Sequence, residues 1–218
     1  MYKTFLAFLV GFICYMSGYY GQKTEQTDGM TVTRENMQVA LTFDDGPSVY
    51  TSELLTELKK LGVKASFFLL GQNITGHEEV IRQMKADGHL IGNHTYEHVS
   101  MKAVGDEKAV ELIERTGNQI FEITGQYPCF VRPPYGEWKE DLEYTVCMVP
   151  VFWSVDSMDW QLQNTEAIVE RVERQVEGGD IILMHDSFET SVEAAVRIVR
   201  DLWEGGYEFV TVEEMVFR

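Results

Sequence analysis

Beyond residue 37 the chain alternates short, continuous apolar runs with longer stretches whose apolar residues recur every three or four positions. The continuous runs predict strands over 38–43, 65–70, 90–93, 129–132, 145–155, 180–184 and 208–212. The spaced stretches predict helices over 50–61, 78–86, 107–124, 165–176 and 191–203, because the helical period gathers such positions on one face. Leu54, Leu58 and Leu61 form that face in the first helix, and Gly62 stops it. Val80, Ile81 and Met84 form it in the second. In the longest, Val110, Ile113, Ile120 and Phe121 make the stripe and Gly117 weakens the middle. Thr165-Glu166 suits a helix start. The last helix carries Val192, Ala195, Val196, Val199, Leu202 and Trp203 inward.

Strands that are apolar throughout, rather than at alternate positions, suit a parallel sheet covered on both faces. Their alternation with helices predicts an α/β fold, either a barrel or a doubly wound open sheet. The polar clusters separate the two. Asp44-Asp45, His94, Arg132, residues 156–160 and His185 each follow directly on a predicted strand. Strand ends that converge from this many strands fit the ring of a barrel better than the single crevice of an open sheet. The expectation is an irregular barrel of about seven strands.

With 218 residues, 44% of them hydrophobic, the chain suffices for one well-packed domain. The net charge of −17 and a pI near 4.6 argue against a nucleic-acid partner, which needs a basic surface, and give no attraction to anionic membranes. Residues 1–20 differ from the rest. Lys3 and the amino terminus supply positive charge, and residues 5–20 carry none. That layout predicts a secretory signal or an N-terminal membrane anchor, although it is short for a spanning helix. Ser17 and Gly18 are the nearest small residues to a cleavage site, and Gly11-Phe12-Ile13 before Cys14 matches a lipoprotein box poorly. A polar linker over 21–36 would lead to a domain over 37–218, delivered outside the cytoplasm. Cys129 and Cys147 read as buried thiols rather than a disulfide, and their spacing resembles no metal site.

Five stretches carry chemistry. In Thr42-Phe43-Asp44-Asp45-Gly46 two adjacent carboxylates end a core strand, where they repel unless a cation or proton is shared between them; a solvated turn is the plainer alternative. His94 and His98, four residues apart, would share one face of a helical turn and suit a divalent cation, or be two surface histidines. Two His and one Asp leave coordination positions open, as catalytic sites do. Arg132-Pro133-Pro134-Tyr135-Gly136 is a stiff loop whose Arg132 could pair with a carboxylate. Asp156-Ser157-Met158-Asp159-Trp160 joins carboxylates to a large aromatic, suited to a sugar wall or to core filling. Leu183-Met184-His185 ends a buried strand with a candidate acid.

In this order the five stretches resemble the motifs of the polysaccharide deacetylase family, carbohydrate esterase family 4 with its NodB-homology domain, from residue 38 to the C-terminus. The resemblance implies a NodB-like (β/α)7 barrel and a metal-dependent hydrolase. By it, Asp44 is the general base; Asp45, His94 and His98 hold one divalent ion, with zinc first and cobalt or nickel as alternatives. Arg132 would orient Asp44, and the Tyr135 backbone N–H would help hold the oxyanion. Asp159 would tune His185, the general acid, while Trp160 and Leu183 would shape the acetyl pocket. No motif residue is missing. Residues 136–150 are short for the family and lack a clear helix, which would reshape one side of the groove. The implied activity is removal of acetyl groups from N-acetylglucosamine in an extracellular glycan, peptidoglycan first, by a monomer that is secreted or anchored at the cell surface. Chitooligosaccharide or acetylated xylan are alternatives within the family, and a metal-containing carbohydrate-binding module or a wall-anchored scaffold lies outside it.

Overall fold

The computed structural model describes residues 37–217; the expected signal or anchor, 1–20, and the expected polar linker, 21–36, lie outside them. The apolar runs form one eight-stranded sheet. Its strands are β1 (Gln38–Asp44), β2 (Ser66–Leu69), β3 (Leu90–Asn93), β4 (Phe130–Val131), β5 (Val149–Pro150), β6 (Val155–Asp156), β7 (Ile181–His185) and β8 (Glu208–Phe209). The order is β5-β4-β3-β2-β1-β7-β6, with β8 on the first two residues of β1. Every pairing is parallel. The helices are α1 (Thr51–Leu61), α2 (Glu78–Ala86), α3 (Asp106–Thr124), α4 (Glu143–Val146), α5 (Asp159–Leu162), α6 (Thr165–Glu173), α7 (Glu189–Glu204) and α8 (Val212–Val216).

The two faces of the sheet are built differently. Val39, Leu41 and Phe43 of β1, with Phe67 and Leu69 of β2, pack against Leu54 and Leu58 of α1 and against the apolar stripes of α6 and α7. The alternate residues Ala40 and Phe68 join Phe130, Val151 and Val212 in a separate cluster. Because successive strand side chains point to opposite faces, the second face of β1 reads Gln38, Ala40, Thr42, Asp44. All seven residues of β1 are buried, yet this face is small and polar and ends in a carboxylate.

The stretch 145–155, predicted as one strand, is not one. It contains the end of the single-turn helix α4, then β5 on β4 at one edge of the sheet, then β6 on β7 at the other. Pro150 has no N–H with which to continue the ladder. The residues between Pro150 and Val155 can reach at most about 18 Å, so the sheet must curl until its two edges nearly meet. The result is a curled half-barrel closed by a short bridge, with eight short strands where about seven were expected. The single turn of α4 agrees with the weak helical signal between 136 and 150.

Other departures are local. Phe121 is exposed and stacks on Tyr127 with ring centroids 5.0 Å apart; Leu112, Ile113, Thr116 and Ile120 fill the inward face of α3 instead. A Cβ on Gly117 would meet Tyr127 at 3.3 Å and Met148 at 3.4 Å, so this glycine serves close packing. Trp203 is also exposed. Only Glu208–Phe209 of the run 208–212 is strand, because Thr211 starts α8 with a capping box to Glu214. Cys129 and Cys147 are free and exposed rather than buried.

Candidate active site

Asp44 and Asp45 part company at the end of β1. Asp44 continues the strand and is nearly buried. Asp45 takes a left-handed φ of 68°, a conformation that Asp tolerates better than most residues. Arg132 meets Asp44 with an Nη1–Oδ1 distance of 2.9 Å. The same Nη1 donates to Thr42 Oγ1 at 2.6 Å, Nε donates to the Val151 carbonyl at 3.4 Å and Nη2 to the Phe152 carbonyl at 3.2 Å. Its guanidinium also lies over the Phe68 ring at 4.2 Å. Arg132 has no solvent exposure. Burial lowers its pKa and Asp44 opposes that effect.

The next cluster is Asp45, His94 and His98. Asp45 Oδ1 lies 3.4 Å from His94 Nε2 and 3.7 Å from His98 Nε2. It is buried and has no hydrogen-bond partner among the described residues. These separations are long for hydrogen bonds. They suit two ligands of one tetrahedral ion, which lie about 3.4 Å apart when each is about 2.1 Å from the metal. His94 Nδ1 stands 2.7 Å from the Arg132 carbonyl, which places the proton on Nδ1 and leaves Nε2 free as a ligand. Burial lowers the His98 pKa against the pull of Asp45, favouring the neutral, ligating form. The residues fit a divalent ion. The two imidazoles are not on a helical turn, however. Residues 94–98 are irregular, and a left-handed Thr95 at φ 67°, its N–H bonded to Asn93 Oδ1 at 2.7 Å, brings the rings within 5.1 Å of each other.

The third group faces Asp44 across the sheet. The β1–β7 register sets Asp44 beside His185 and Thr42 beside Leu183. His185 Nδ1 is 2.8 Å from Asp159 Oδ1, and the His185 backbone N–H donates to Asp159 Oδ2 at 2.7 Å. Both oxygens of this fully buried carboxylate therefore engage His185, and Oδ1 also accepts from the Trp160 backbone N–H at 2.9 Å. Burial alone would depress the His185 pKa, but the hydrogen bond and charge of Asp159, helped by Asp44 and Asp45, raise it to about 9. Burial pushes Asp159 upward in turn, and His185 more than offsets this, leaving it low.

Tyr135 is exposed at the rim in a left-handed turn with φ 60°, its ring edge-on to His98 at 4.5 Å. Trp160 is exposed beside Asp159, and Leu183 is buried in β7. Two cavities, of about 310 Å³ beside His89 and Cys129 and about 500 Å³ beside Trp203 and Phe209, contain none of these residues. Sequence reasoning missed two groups. Asp186 is buried, accepts from Thr51 Oγ1 at 2.5 Å and is raised by burial to about 6. A Cβ on Gly46 would fall 2.7 Å from its carboxylate oxygens. Asn73 donates to the Asp45 carbonyl at 2.8 Å. Asp186 could have been suspected as a carboxylate following a buried strand; nothing in the sequence marks Asn73.

A curled parallel half-barrel with such clusters at its strand ends is the architecture of NodB-homology deacetylases. Residues 31–147 match the family model described as polysaccharide deacetylase, and the chain belongs to that family. It is 37% identical over 186 residues to the peptidoglycan-N-acetylmuramic acid deacetylase PdaC of Bacillus subtilis, covering 85% of this chain and 40% of PdaC. The solved structure of PdaC superimposes with a TM-score of 0.81 over 84% of this chain and 92% of that one. Identity to the peptidoglycan-N-acetylglucosamine deacetylase PgdA of Listeria monocytogenes is 33% over 183 residues, covering 84% of this chain and 39% of PgdA. The chain thus spans about two fifths of the length of these two curated relatives. A family 4 acetyl xylan esterase from Clostridium thermocellum, solved with a cobalt ion, is 36% identical with a TM-score of 0.77, over 82% of this chain and 89% of that one.

Proposed function

We propose that this protein is a metal-dependent hydrolase that removes acetyl groups from N-acetylglucosamine residues of peptidoglycan outside the cytoplasm. The observation that carries the reading is the register at the end of β1. It sets Asp44 beside His185 while the next residue, Asp45, faces His94 and His98. Asp45, His94 and His98 would hold one divalent ion, zinc first, with cobalt or nickel also compatible with two imidazoles and a carboxylate. When bound, such an ion supplies Lewis acidity toward a carbonyl and toward water.

The chain's own groups do the rest. Arg132 engages Asp44 at one oxygen and fixes its direction, so that Asp44 takes a proton from the attacking water as the C–O bond forms. The Tyr135 backbone N–H, aimed by its left-handed turn, donates to the oxyanion. His185 enters the reaction protonated and gives its proton to the sugar nitrogen as the C–N bond breaks. Acetate and a free amino sugar leave. Leu183 and Trp160 bound the acetyl methyl. The apolar, charge-free pattern of residues 5–20 and the cell-wall substrates named for the relatives support export or anchoring at the cell surface.

The test is acetate release by the purified, zinc-loaded protein from peptidoglycan, chitooligosaccharide and acetylated xylan in parallel, with mass spectrometry of the sugars. Chelator-sensitive release from the N-acetylglucosamine of peptidoglycan is expected. Release from N-acetylmuramic acid, the sugar named for PdaC, or from xylan would keep the chemistry and change the substrate. No release from any of them by metal-loaded protein would overturn the enzyme reading in favour of glycan binding alone.

A further inference from the structure

The segment 69–73, between β2 and the following loop, carries no group assigned to the reaction. It is nevertheless hydrogen-bonded on both sides to the loops that bear the metal-type ligands. Toward the first loop, the Leu70 N–H donates to the Gly46 carbonyl at 2.9 Å and Asn73 Nδ2 to the Asp45 carbonyl at 2.8 Å. Toward the second, the Leu69 carbonyl accepts from the His94 N–H at 2.9 Å, and the Gly71 and Gln72 N–H groups donate to the Thr95 and Tyr96 carbonyls at 2.9 and 3.1 Å. The fit is tight. A Cβ on Gly71 would lie 2.6 Å from the Tyr96 ring, midway between the two histidines in sequence. The segment is a spacer of fixed width between Asp45 on one side and His94 and His98 on the other.

Within it, Asn73 makes the one side-chain hydrogen bond to the loop bearing Asp45 among the described residues. Its side-chain amide donates to the carbonyl of Asp45, a residue in a left-handed conformation, and its backbone carbonyl lies 3.0 Å from His77 Nδ1. We infer that Asn73 is a positioning residue for the metal centre: by holding the Asp45 backbone turned, it keeps Oδ1 facing the two imidazoles. This rests on the proposed reading of Asp45, His94 and His98 as ligands. Groups that orient first ligands affect metal affinity by about 10–100-fold in general.

The experiment uses the full chain with Asn73→Ala and with Asn73→Asp, which keeps the shape and removes the donor. Zinc dissociation constants are measured by chelator competition, cobalt spectra report coordination, and melting in excess chelator reports the metal-free fold. The expected result is zinc binding weaker by about tenfold or more and an altered cobalt spectrum in both variants, with chelator-treated melting like that of the wild type. If the Ala variant does not fold, the Asp variant carries the test. Wild-type zinc affinity and cobalt spectrum in a folded variant would overturn the inference alone. A wild-type protein that takes up neither zinc nor cobalt would overturn the ligand reading and this inference with it.

Discussion

Asp44 and Asp45 are chemically identical neighbours, and the backbone gives them different surroundings. One stays extended and meets Arg132; the other turns left-handed and meets two imidazoles. The proposed roles predict separable losses. Asp45→Ala, His94→Ala or His98→Ala should lose bound metal and activity together. His185→Ala should keep its metal and lose about 10²–10⁴-fold in turnover; metal analysis beside initial rates checks both, and a wild-type rate in His185→Ala would remove it as the acid. The elevated pKa of His185, about 9, sets the pH dependence. The imidazolium is present at neutral pH, so kcat/KM should fall as pH rises through about 9. Its contribution to folding, about 3 kcal/mol for a rise from 6.5, is complete below pH 6.5 and is lost as pH climbs through 9. Asp159→Asn removes the anion responsible, and the alkaline limb of the pH–rate profile should move to lower pH; an unmoved limb would mean that another group sets it. These residues were legible in the sequence because their types and order carry the chemistry. The left-handed backbones at Asp45, Thr95, Tyr135 and Met158 were not. Such conformations cost about 1–2 kcal/mol each in L-residues, and no local preference of Thr, Tyr or Met announces them. They are imposed by the surrounding contacts, and these four lie in the stretches that carry the candidate site residues.

At the scale of elements, the sequence was informative where a buried apolar run or stripe is cleanly punctuated at both ends. β1 and β3 and helices α1 and α2 lie within one residue of their expected bounds, since burial on both faces of a parallel sheet leaves an apolar run with clear punctuation. The run 145–155 misled because hydrophobicity reports burial and says nothing of pairing. Only Met148, Val151 and Val155 of its residues are buried, and the run changes partner strand midway. Arg132 accounts for that stretch, its guanidinium donating to the Val151 and Phe152 carbonyls between the two strands. Arg132→Leu should therefore destabilise the fold by about 3–5 kcal/mol, because it strands a buried carboxylate at Asp44. Denaturant titration measures this, and adding Asp44→Asn should recover part of the loss; a loss below about 1 kcal/mol would place the pair among weak surface interactions. At α8, Thr211→Ala should cost about 1 kcal/mol by removing the capping box, read from the same titration.

For the whole molecule, a ligand that binds only the folded state raises its stability by mass action. Zinc at one hundred times its dissociation constant should add about 2.7 kcal/mol. Melting of the wild type should then fall on chelation, and that of Asp45→Ala should be insensitive to chelator; equal chelator sensitivity in the two would place the ion elsewhere. The closure of the half-barrel has a different kind of consequence. Its edges are joined by a bridge whose carbonyls are held by the same guanidinium that holds Asp44, the proposed base. Mechanical integrity and chemical competence thus share one component. On the proposed reading, a molecule whose barrel has sprung open loses its aimed base at the same moment, so a damaged or half-folded copy is inert rather than indiscriminate.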